Sequence, residues 1–203
     1  MIGGEMQPSP SRDPYGAALS AVRRFAADGR FVPGAPIVVT ELAAEVGFSP
    51  TPLREALACL AGEGLIERRR GRGYFYPELS AAEFIDLFEL QLAYVHAALT
   101  LWPRGLAPLR KAVGALSPLD DTQALFEAIV AQSGNRALIS AHRRVADRLK
   151  AASRLWGRQA EAEVWAVRAM VAAIAEGRIA ALIELLGVHH ERRCARAPMR
   201  ASG

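Results

Sequence analysis

Residues 49–79 read SPTPLREALACLAGEGLIERRRGRGYFYPEL. Leu53, Leu57 and Leu60 recur at spacings of three and four, which predicts a helix with one apolar stripe. Ser49 stands where an N-cap belongs and Pro50 where a first helical residue does. Thr51 and Arg54 share a second face, away from the leucines. GLIERRR then reads as a strand, GRG as a turn and YFYPEL as the returning strand. The hairpin carries Arg68, Arg69, Arg70 and Arg72, with Gly71 between the last two.

Upstream, IVVT is a short β-branched run, and Thr40 is the expected N-cap of ELAAEVG. Leu42, Ala43 and Val46 should face inward before Gly47 ends that helix. Before it, PYGAALSAVRRFAADGR places Ala18, Val22 and Phe25 on one helical face, with a stop at Gly29. Residues 1–13, rich in Pro, Ser and Gly, are expected to form a mobile tail. Two short helices around a tight turn, followed by a hairpin, form a winged helix-turn-helix pattern. Its second helix fits a major groove, and the wing can carry Arg68, Arg69, Arg70 and Arg72 to phosphates. Arginines on a hairpin are by themselves an ordinary solvated surface. Their conjunction with Thr51 and Arg54 on one helical face makes double-stranded DNA the expected partner.

Bulk properties agree with a folded protein. The chain has 203 residues, 51% hydrophobic and 23% charged, enough to bury a core in one large or two small domains. A net charge of +4 is too small to signal a polyanionic partner, so the placement of the arginines carries that argument. No apolar run is long enough to span a bilayer, and MIGGEMQPSPSRDPYG lacks a leader pattern, so a cytoplasmic protein that makes no membrane contact is expected. Cys59 and Cys194 show neither disulfide nor zinc spacing.

After Pro77 no strand signal remains, and Ala, Leu, Glu and Arg recur at helical spacing. SAAEFIDLFELQLAYVHAALTLW predicts a long helix capped by Ser80, with Phe84, Leu87, Leu90, Leu92 and Tyr94 apolar, stopped by Pro103. APLRKAVGAL is a short helix, and DDTQALFEAIVAQ begins with acidic caps and ends at Ser133-Gly134. Asn135 should cap RALISAHRRVADRLKAASRLW, and AEAEVWAVRAMVAAIAEG and RIAALIELLGVHHERRCARA complete six helices.

The run VPGAPIVVTELAAEVGFSPTPLREALACLAGEGLIERRRGRGYF resembles the winged helix of the GntR family of bacterial regulators nearly throughout. The resemblance implies that Ser49, Thr51, Arg54 and the segment Arg70, Gly71, Arg72 contact the operator. Pro50 replaces the family's arginine after the recognition-helix serine, and Thr40, kept among the DNA-facing candidates, stands where a basic residue is common. The helices that follow resemble the FadR-type subgroup, through LFEAIVAQSGNRAL and AMVAAIAEGRIAALIELLGVHHE. The fold implied is mainly α: a winged helix-turn-helix with a small β wing over 14–78, then an all-α antiparallel bundle over 79–203 that binds an effector and dimerises.

Many members of that subgroup hold a divalent metal with an Asp and three His. The matching positions here are Gln123, Glu127, Val167 and His189. Only His189 keeps its identity, Val167 cannot ligate, and Gln91 replaces the arginine of the family's Glu-x-Arg element, so no metal and no cofactor are expected. The expected effector groups are Gln91, Glu127, Arg168 and His189, facing a small organic molecule. The reading is a homodimeric repressor of a palindromic operator; the alternative is a DNA-binding regulator whose bundle only dimerises or binds a protein. No nucleophile-base pair, phosphate-cradling loop or intact metal set supports an enzyme.

Overall fold

The computed structural model describes residues 13–101, 106–116, 122–153 and 161–200. The chain divides into two compact units, parting between Glu78 and Leu79.

The first unit begins with α1 (Pro14–Ala27), whose opening amide at Gly16 donates to the Asp13 carboxylate at 2.9 Å. Ala18, Ala21, Val22, Phe25 and Ala26 form its buried face, and Gly29, at φ 67°, takes the left-handed turn after it. β1 (Pro36–Ile37), α2 (Val39–Val46), α3 (Pro50–Gly62), β2 (Glu67–Arg69) and β3 (Gly73–Phe75) follow. α1 and α2 both pack on α3. There Leu53, Ala56, Leu57 and Leu60 are fully buried; each leucine contributes roughly 1.5–3 kcal/mol by leaving water. The strands form an antiparallel sheet in the order β1-β3-β2.

Four local expectations are corrected. The IVVT strand shrinks to Pro36–Ile37, because β1 pairs with Phe75 and Tyr74 and the next partner would be Gly73, which turns at φ 93°. Val38 therefore opens α2, and Thr40, expected as its cap, lies exposed within the first turn. Ser49 does occupy the N-cap of α3, but its side chain makes no capping bond. A capping hydroxyl accepts from the second or third helical amide, and the third here is Pro52, which has no N–H. Val46, expected inside, is only half-buried, while Gly47 ends α2 at φ 74° as expected.

The second unit contains α4 (Ala81–Thr100), α5 (Ala107–Gly114), α6 (Thr122–Gln132), α7 (Arg136–Ser153), α8 (Glu161–Glu176) and α9 (Ile179–Arg200). Ser80 and Glu83 form a capping box at the start of α4. The Asn135 side-chain oxygen Oδ1 accepts from the amides of Ala137 and Leu138, both at 3.1 Å, and opens α7. The helix stop assigned to Pro103 and the acidic caps assigned to Asp120 and Asp121 lie outside the described residues. α4 packs against α6, α7 and α9, and α8 against α9. Leu90, one of the helix's apolar residues, is 41% exposed, and Gln91 takes the buried position at 1%. One residue on a helix turns the side chain by about 100°, so Phe84, Leu87, Phe88, Gln91, Val95 and Ala98 make the inward stripe and Leu90 falls off it.

These caps allow a comparison. Asn135→Ala and Ser80→Ala should each cost about 1 kcal/mol of stability, whereas Ser49→Ala should cost close to nothing, because only the first two side chains hold helix amides. Denaturant melts of the three variants measure this, and an equal loss at Ser49 would contradict the uncapped geometry.

Candidate nucleic-acid interface and bundle interior

The exposed face of α3 carries Thr51, Arg54, Glu55 and Ala58. Their spacing of three, four and seven residues puts all four on one side of the helix. This surface is not uniformly basic: a carboxylate such as Glu55 repels phosphate and can accept only from a base amino group. The Tyr74 hydroxyl on β3 donates to the backbone carbonyl of Arg54 at 3.3 Å and so holds the hairpin against the helix. Tyr74 was not singled out from the sequence, although it opens the returning strand.

At the hairpin, Arg68, Arg70 and Arg72 are exposed and Gly71 turns at φ 73°. A side chain at Gly71 would meet no other atom, so the glycine is required by its backbone angle and not by crowding. Arg69 differs from its neighbours. It donates to both Glu67 carboxylate oxygens, at 2.9 and 2.8 Å, and its guanidinium lies 4.0 Å above the Phe75 ring. The hydrogen bond lowers the Glu67 pKa and raises that of Arg69. The strand alternation turns Arg69 onto the sheet, where it is engaged within the wing, unlike Arg68, Arg70 and Arg72. On the opposite side of α3, Arg23 of α1 pairs with Glu63 at 2.5 Å and fixes the helix to its scaffold.

Inside the second unit two apolar clusters are stacked along the helices. One gathers Val95, Leu109, Leu125, Phe126, Ile129, Val167, Met170, Leu182 and Leu186, among others. The second gathers Phe84, Leu87, Phe88, Val145, Leu149 and Ala197. On α4, α7 and α9 the residues between the two clusters are Gln91, His142 and His189 with Arg193, and α6 contributes Thr122 and Gln123 from its first turn. Gln91 Nε2 donates to Gln123 Oε1 at 2.6 Å, and Arg193 donates to Gln91 Oε1 at 2.8 Å while its guanidinium sits 4.0 Å over the Phe88 ring. His189 packs edge-on against Phe126, with ring centroids 5.9 Å apart. Thr122 Oγ1, His142 Nε2 and His189 Nε2 are buried without a hydrogen-bond partner among the described residues. Leaving such an atom unsatisfied costs about 1–3 kcal/mol.

Of the four expected effector groups, Gln91 and His189 are buried in this polar layer, and Glu127 and Arg168 are exposed. The structure does not bring the exposed pair into the layer's interior. Arg193, His142 and Thr122 were missed. Arg193 alone had a sequence signal, since it lies one helical turn after His189 on the same face of α9.

The metal set implied by the resemblance does not fit these residues. Gln123 is hydrogen-bonded to Gln91, Val167 is part of the apolar cluster, and Glu127 is exposed. Among the described residues no three His, Cys, Asp or Glu lie together as a possible metal site. A metal at a hundredfold its dissociation constant would add about 2.7 kcal/mol, or roughly 5–11 °C in melting temperature at about 2–4 °C per kcal/mol. We expect zinc, nickel and a chelator each to move the melting temperature by less than that. A large metal-dependent rise that vanishes in His189→Ala would mean that other ligands close a site.

Burial lowers the His142 pKa to about 4 and that of His189 to about 3; at His189 the charges of Arg193, His190, Arg192 and Arg196 act in the same direction. Both folded values lie below the ordinary 6.5, so the unfolded chain binds the extra protons. Their stabilising contribution is complete above about pH 6.5 and is lost progressively as pH falls toward 4 and then 3. The unfolding midpoint should accordingly be lower at about pH 5 than at about pH 7.5, and His142→Leu should shrink the difference. Equal midpoints at the two values would rule out buried neutral imidazoles.

A recognition helix held against a wing, with an exposed arginine on each, defines the winged helix-turn-helix class of transcription regulators. Residues 14–75 match the family described as bacterial regulatory proteins, gntR family. Those residues are a winged helix of that family, which is one of transcription regulators, and the C-terminal region is helical. It is 32% identical over 113 residues to an HTH-type transcriptional regulator of the ttuE-ttuC' intergenic region in Agrobacterium vitis. That match covers 56% of this chain and 66% of the relative. It is 41% identical over 71 residues to the Nta operon transcriptional regulator of Aminobacter aminovorans, covering 35% and 34%. The chain thus spans less than two thirds of the length of these curated relatives. A transcriptional regulator GntR from Rhodococcus sp. RHA1 shares the fold with a TM-score of 0.75 at 18% identity, over 90% of this chain and 96% of that one. Among the described residues no helix is long and apolar enough to cross a membrane.

Proposed function

We propose that the protein represses transcription in the cytoplasm by binding a palindromic operator as a homodimer, and that a small organic metabolite bound in the helical unit relieves or enforces that binding. The observation that carries the DNA reading is the exposed face of Thr51 and Arg54, held beside a wing with Arg68, Arg70 and Arg72 exposed. Thr51 and Arg54 read base edges or clamp phosphate, and the wing arginines neutralise the backbone. Arg69 keeps the wing in shape. Thr40, Ser49 and Gly71 complete the DNA-facing set. The buried polar layer supports the sensing role, because three of its polar atoms call for a partner.

A second reading, in which the helical unit only dimerises, is favoured by the exposure of Trp165, Leu90, Ile183 and Val188. Apolar side chains of this kind suit a second copy. Selection of bound sequences from random DNA tests the main reading. A recovered palindrome with half-sites about one helical turn apart is expected. An unenriched pool, or an asymmetric site bound by one chain, would defeat it.

A further inference from the structure

We propose that Glu55 selects a cytosine in each operator half-site, accepting from the base's amino group at the floor of the major groove. The inference rests on the DNA-binding reading above and adds the base that α3 specifies. Leu53, Ala56, Leu57 and Leu60 fill the core side of the helix. At about 100° per residue, the ridge opposite them is formed by Thr51, Glu55, Ala58 and Gly62, all exposed. Arg54 lies roughly 70° round from the middle of that ridge, on the side where the Tyr74 hydroxyl ties the wing to its carbonyl. A helix about 10–12 Å across nearly fills a major groove about 12 Å wide. The ridge opposite the core therefore meets base edges, while the flank that carries Arg54 meets the phosphate wall.

Glu55 is the longest side chain on the ridge, and Ala58 and Gly62 beside it leave it unshielded. Among the described residues its carboxylate has no ion-pair partner, whereas Glu63 is held by Arg23 and Glu67 by Arg69. A carboxylate accepts hydrogen bonds and cannot donate them. On the groove floor the donors are cytosine N4 and adenine N6; guanine and thymine present acceptors and no donor, so they are rejected. Adenine N6 stands between two acceptors, its own N7 and the O4 of thymine, which repel the second carboxylate oxygen. Cytosine N4 has an acceptor, guanine O6, on one side and the ring C5–H on the other. That open side accommodates the second oxygen, and cytosine is the base left.

Sequences bound from random DNA are selected with the full-length protein, with Glu55→Gln and with Glu55→Ala. The parent should recover a cytosine at one fixed position of each half-site. Glu55→Gln, whose amide can pair with adenine N6 and N7, should shift that position to adenine, and Glu55→Ala should accept any base there, with the other positions unchanged. Two further measurements use the unaltered protein. Replacing the cytosine by thymine should weaken binding by about 5- to 150-fold for each half-site altered. Replacing its partner guanine by 7-deazaguanine should change little, since this removes the N7 that an arginine would use and keeps cytosine N4. A strong loss with 7-deazaguanine, or a Glu55-sensitive position that is not a cytosine-guanine pair, would overturn the cytosine assignment. The same selected sequence from all three proteins would overturn the role of Glu55 and leave the DNA-binding reading standing. If the parent enriches nothing, both fall.

Discussion

Arg54→Ala is expected to weaken specific operator binding by roughly 1–3 kcal/mol at each half-site, so about 2–6 kcal/mol for a two-subunit complex. That is a loss on the order of 30- to 10⁴-fold. The size follows from what a base-edge or phosphate-clamping arginine contributes, and from its position beside Thr51 on the exposed face of α3. The fold should survive the change, because the side chain is exposed and the contact to Tyr74 uses the Arg54 carbonyl, which alanine retains. Tyr74→Phe is the matched control: it removes the tie between wing and helix and leaves the arginine in place. An Arg54→Ala variant with wild-type operator affinity and an unchanged melt would refute the proposed interface.

Salt should act as strongly. With Arg68, Arg70 and Arg72 exposed on each subunit, a dimer would neutralise about six phosphates through its wings, giving a slope of about −5 in log affinity against log salt. Affinity would then fall by about a thousandfold between roughly 50 and 200 mM salt. Replacing Arg70 and Arg72 leaves about two such contacts and a slope of about −2. Arg69→Ala provides the discriminating comparison, since Arg69 is held by Glu67 and Phe75. It should leave the slope nearly unchanged. A slope that responds to Arg69 as it does to Arg70 would show that DNA pulls Arg69 off the sheet, and one indifferent to all three would mean that the wing faces away from DNA.

Most of the first unit is legible in the order of its residues because its signals are local. The leucine stripe of α3 sets a helical period, Gly47 and Gly64 turn the chain at φ 74° and 78°, and Gly71 and Gly73 close the hairpin. Such signals act within a few residues, and so reading along the chain recovers them. Even here the details failed where a distant strand or a missing amide decided the outcome, as at Thr40, where β3 runs out of partners, and at Ser49, where Pro52 has no N–H.

The candidate ligand site is different in kind. From the sequence, Gln91 is a polar residue beside the apolar Leu90, and nothing local says which of the two turns inward. Packing against three other helices decides it. Arg193 lies 102 positions from Gln91 and meets it only because α4 and α9 pack together. Glu127 occupies a position that the family pattern favours and Arg168 was expected to face an effector, yet both are exposed. The sequence by itself therefore determined the kind of fold and the arginine-bearing face, since periodicity and turn chemistry are properties of neighbouring residues. Only the tertiary structure decided which polar groups are buried and paired, because burial depends on what every other helix places opposite.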